Sequence, residues 1–160
     1  MNKINALEEL IGFYPDRVII RVNSKKPHDE TFSYKLAQKF YNNPEGLKRP
    51  IILTKQIIYD LQNSPKLNFY SMTIFYSILG DMYYIYGDFN RSMACFMRAL
   101  SYNREDLASW VGLMFSLRSL EDYDSFEKIM FNLQTVHDRW LQNDSAVLTK
   151  DILSEMLSDL

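Results

Sequence analysis

Tyr76-Ser77-Ile78-Leu79-Gly80-Asp81-Met82-Tyr83, with Gly87-Asp88-Phe89 shortly after it, is the stretch whose reading decides the fold. Tyr76, Leu79 and Tyr83 recur at three- and four-residue spacing and so share one side of a helix. Gly80 lies among them at a point where a second helix can approach closely, since a side chain there would hold the two backbones apart. Gly87 and Asp88 then turn the chain. Asp88 is a suitable N-cap for a second helix, and Phe96, Ala99 and Leu100 are the residues by which that helix packs on the first. A step of 34 residues puts Trp110 for Tyr76, Leu113 for Leu79, Leu117 for Tyr83, Tyr123 for Phe89, Met130 for Phe96 and Leu133 for Ala99. Asp122 likewise stands for Asp88. Matches of this kind at a fixed period mark a structural repeat.

A unit of this length, with an aromatic, Leu-Gly and Tyr in its first helix and Phe and Ala in its second, resembles the tetratricopeptide repeat (TPR). Two consecutive units are expected over about Thr73 to Trp140, as hairpins at Phe69 to Tyr102 and Glu105 to Val136. The resemblance implies an all-α chain of TPR-like antiparallel helical hairpins in a short right-handed solenoid, closed by a C-terminal capping helix. Three positions depart from the family's pattern. Ser92 replaces Ala, Arg104 replaces the terminal Pro, and Met114 stands where Gly80 predicts glycine, which leads one to expect a wider helix separation in the second unit.

The repeat fades on either side. Residues 1–66 read as a degenerate helical region, 67–140 as the two hairpins and 141–160 as the capping helix. In the first region Asn5 to Tyr14 suits a short helix. Asp29 to Tyr41, with Leu36, Ala37 and Phe40, suits a longer one. The apolar stripe Ile51, Ile52, Leu53, Ile57, Ile58 and Leu61, ending at Asn63-Ser64-Pro65, suits its partner. Arg17 to Val22 is β-branched and fits either a strand or a helix begun by Pro15. At the other end Leu148, Ile152, Met156 and Leu160 recur every four residues from about Asp144. That helix either covers the last hairpin or buries its apolar side against another chain.

Composition narrows the function classes. Apolar residues make up 47% and charged residues 24% of the 160, with only five Gly and five Pro, which favours helices over a turn-rich sandwich. Membrane-spanning and signal segments are not expected. The single cysteine, Cys95, fits a reducing compartment, so a cytoplasmic protein is expected. Charge is uneven: residues 1–70 hold 11 Lys/Arg against 7 Asp/Glu, and residues 71–160 hold 7 against 13. An N-terminal surface that meets something acidic would use Arg17, Arg21, Lys25, Lys26, Lys48 and Arg49. The excess is too small to point to nucleic acid.

No catalytic constellation is legible. His28, His137 and Cys95 are isolated, so a metal site is not expected. Cys95 stands among Met93, Ala94, Phe96 and Met97 and reads as a packed thiol. Phosphate loops, nucleophile elbows and metalloprotease signatures are missing, and Glu121, Asp122, Asp124 and Glu127 lack the spacing of a calcium loop. The expectation is a non-enzymatic protein without a cofactor.

What the resemblance implies is a protein-protein interaction scaffold or adaptor. TPR arrays present the first helix of each hairpin on a concave side. By offset the partner-binding residues are Ile78, Asp81, Tyr84, Ile85, Phe115 and Arg118, with Ile74, Ser77, Ala108, Val111, Gly112 and Ser119 beside them. This stripe is largely apolar and lacks the cluster of cations by which some TPR proteins clamp acidic C-termini, so a helix or hydrophobic segment is the expected ligand. Within the TPR class, Asp81-Met82-Tyr83-Tyr84, Gly87-Asp88-Phe89 and Ala94-Cys95-Phe96 resemble the TPR subunit of the endoplasmic-reticulum membrane protein complex. That resemblance implies a scaffold at the cytosolic face of a membrane-protein insertase, peripheral to the membrane. The alternative is a small TPR chaperone for a secreted or membrane-inserting substrate, a class of similar length.

Overall fold

A computed structural model describes residues 2–13 and 32–131. Regular structure among them is helical, with no strand. Helix α1 spans Lys3–Ile11, α2 Phe32–Phe40, α3 Lys48–Gln62, α4 Phe69–Tyr86, α5 Phe89–Tyr102 and α6 Leu107–Ser119. A further helix, α7, occupies 123–131. A 3₁₀ turn at Pro44–Leu47 leads directly into α3, which is how the insertion between α2 and α3 is accommodated. The ambiguous stretch Arg17 to Val22, both histidines and the 144–160 repeat of apolar residues lie outside the described residues.

The helix boundaries follow from local chemistry. Asn2 caps α1, its side chain accepting from the Ile4 N–H, and Gly12 ends the helix at φ 85°, a left-handed conformation that glycine adopts without penalty. Lys39 reaches across from α2 to donate to the last carbonyl of α1, Ile11, at 2.7 Å. Asn68 caps α4 and Asp88 caps α5, accepting from the Ser71 and Arg91 N–H groups. Gly87 closes α4 at φ 98°. The hairpin expected over Phe69 to Tyr102 is therefore present with those ends.

Helix α4 is the centre of the molecule. It is apolar on nearly every side and packs on α2, α3, α5 and α6, as a helix without a polar face must. One core joins Leu7 and Ile11 of α1, Phe32 and Leu36 of α2, Ile57 and Ile58 of α3, Ile78, Leu79 and Met82 of α4, and Cys95 of α5. The N-terminal helices thus share a core with the first hairpin. A second core joins Phe96 and Leu100 of α5, Leu113, Met114 and Leu117 of α6, and Phe126 of α7. Helix α5 serves both, with Cys95 in one core and Phe96 in the other.

Candidate functional site

The residues expected to bind a partner come from α4 and α6, whose C-terminal ends lie side by side. The Tyr84 hydroxyl and the Ser119 Oγ are 3.1 Å apart, and the Tyr84 ring meets those of Phe89 at 5.2 Å and Phe115 at 6.3 Å between centroids. Tyr84 and Phe115 are half-buried and Arg118 is exposed, so these three form a connected surface across two helices. Aromatic side chains and Arg are the types that most often carry interface energy.

Part of the expected stripe is not available at this surface. Ile78 is fully buried and Asp81 is 6% exposed. The physical reason is that α4 has neighbours on this side as well: Ile78 belongs to the same core as Phe32 and Leu36 of α2. Ile85 is half-buried against that core. Gly112, read as facing a ligand, meets the ring of Phe96 instead.

Two features of this region carried no legible signal at the 34-residue register. The first is a line of buried hydroxyls at the contacts between helices. Ser77 of α4 and Ser109 of α6 are 2.8 Å apart; Ser92 of α5 donates to the Gly80 carbonyl at 2.7 Å and lies 3.0 Å from Ser116 of α6. Ser116 also donates to the Gly112 carbonyl and Ser109 to Asp106. Ser92, a departure from the Ala of the repeat pattern, here joins three helices. The second is Gly112, which gives α6 its close approach to α5. A Cβ on Gly80 would stand 2.8 Å from the Phe96 ring and one on Gly112 closer still. The close-packing glycine of α6 sits two residues before Met114, and Met114 is buried in the second core.

Burial pushes the Cys95 thiol up to about 12, with the charge of Asp88 adding to the shift and Lys55 opposing it, so the thiolate form is suppressed. Burial likewise raises the Tyr83 hydroxyl. Among the described residues no group of three or more His, Cys, Asp or Glu could hold a metal ion, and no helix is long and apolar enough to cross a membrane. No protein-family model, curated protein or solved structure matches the chain.

Proposed function

We propose that this chain is a non-catalytic, TPR-type interaction scaffold that holds a helix or hydrophobic segment of another protein. The observation that carries the reading is the recurrence of turn geometry at the repeat length. Gly87 and Glu121 both have positive φ, and Asp88 and Asp122 cap the helices that follow by accepting from the Arg91 and Ser125 N–H groups. Such a unit cannot bury its apolar side alone and is stabilised by its neighbours. On this reading α4–α5 and α6–α7 are successive hairpins of a short right-handed solenoid, and residues 141–160 cap its open end.

The partner surface in this proposal is Tyr84, Phe115 and Arg118, edged by Ile85. The chain acts in the cytoplasm, and the resemblances make it either a scaffold at the cytosolic side of a membrane insertase or a chaperone. Tyr84→Ala with Phe115→Ala is expected to abolish capture of the main partner from native cells while circular dichroism still reports a folded helical chain. Normal capture by the folded double variant would move the partner surface elsewhere. Co-purifying integral membrane subunits would identify the insertase setting, and a single secreted client the chaperone one.

A further inference from the structure

The described surface carries a second group of interface-type residues, on the outer side of the first hairpin. Tyr76 of α4 and Tyr102 of α5 stack with centroids 6.0 Å apart and ring planes 16° apart, and Phe69 joins Tyr102 at 5.7 Å. The Arg98 guanidinium lies 6.0 Å from the centroids of both Tyr76 and Tyr102. Tyr76 and Tyr102 are half-buried and packed on the first core, so their positions are fixed, while Phe69 is 59% exposed and Tyr70 48%. Met97, next to Arg98 on α5, is 55% exposed.

Charge decides what this platform would meet. Arg98 is exposed and makes no ion pair among the described residues, unlike Arg91 on the same helix, which is paired with Asp88. The charged residues beside the aromatic group in sequence are Lys66 and Arg104, both cations, and Glu105 and Asp106, each of which has a partner of its own, that of Asp106 being Ser109. A guanidinium held over aromatic rings keeps its N–H edge available for a carboxylate, and the rings beside it offer apolar area at little entropic cost.

We infer that Phe69, Tyr76, Arg98 and Tyr102 form a docking platform for an acidic peptide segment of another protein, one whose carboxylate meets Arg98 while an adjacent apolar side chain covers Phe69. An anionic bilayer is the poorer fit, because two of the three rings are packed against the protein's own core and cannot enter an interface as protruding anchors do. The inference goes beyond the Tyr84–Phe115–Arg118 surface and does not depend on it.

The test is selection of short displayed peptides on the full chain, with the Arg98→Glu chain as counter-target. Arg98 is exposed, so this variant should keep the wild-type helical signal and melting profile. Enriched peptides are expected to place Asp or Glu beside an aliphatic or aromatic residue, to bind Arg98→Glu at least ~10-fold more weakly, and to weaken as salt is raised. Arg98→Lys should restore part of the affinity and Phe69→Ala should lower it, while Tyr84→Ala with Phe115→Ala leaves it unchanged. Peptides without acids, or equal binding by Arg98→Glu, would overturn the inference. So would retention on phosphatidylserine vesicles with no peptide enriched, or self-association that Arg98→Glu abolishes. Peptides sensitive to the Tyr84 and Phe115 substitutions but indifferent to Arg98→Glu would overturn it while leaving the proposed function intact.

Discussion

The Phe96 ring is packed against backbone from two helices, Gly80 of α4 and Gly112 of α6, and neither position has room for a methyl group. Gly80→Leu should therefore destabilise by about 1–3 kcal/mol or more, because the added atoms can be placed only by moving a helix. Gly112→Ala should also be destabilising, and combining it with Phe96→Leu should cost less than the sum of the two, since the shorter side chain vacates the space the methyl needs. Denaturant unfolding of Gly80→Leu, of Gly112→Ala and Phe96→Leu singly, and of the double variant measures both effects, and strict additivity would show that the ring and Gly112 are not in contact. Cys95 makes a separate prediction. Its folded value of about 12 lies above the ordinary value of 9.0, so the unfolded chain releases the proton first as pH rises. The thiol's contribution is intact below about pH 9 and is lost between there and about pH 12. Stability measured across that window should fall less steeply in Cys95→Ala, and alkylation of native Cys95 at neutral pH should be slow.

Between elements, the two turns that end α4 and α6 do the same work with different residues. Gly87 adopts φ 98° freely, whereas Glu121 is held at φ 61°, and it alone among the described non-glycine residues has a positive φ. Glu121→Gly should stabilise by about 0.5–1 kcal/mol, the relief of the left-handed strain exceeding glycine's greater freedom in the unfolded chain. A melting temperature that does not rise would mean that Glu121 gains as much from its surroundings as it loses in its backbone. Ser92→Ala should cost about 1 kcal/mol, because it leaves Ser116 to satisfy itself within α6 and removes a buried tie to the Gly80 carbonyl. The turn between α4 and α5 was legible because Gly87 and Asp88 act on backbone groups within three or four residues. The hydroxyl line was not, since its members sit 24 and 32 residues apart and neither spacing is the repeat length.

At the scale of the molecule, the helical architecture of the described residues was written in the apolar spacing, and the interaction surface only partly so. Offset within a repeat says which side of α4 a residue occupies, but not what else in the chain will cover that side. That is why Tyr84 and Phe115 emerged at the surface while Ile78 and Asp81 did not. Gly112 reads as ligand-facing for a related reason: offset places it on α6, but not against the Phe96 ring of α5. The same bracketing of Phe96 has a consequence for motion. An aromatic ring turns over about its long axis only when its surroundings part, and here two backbones must yield together. In solution the paired ring protons of Phe96 should give separate resonances, and the temperature at which they merge would clock the breathing of α4 against α6.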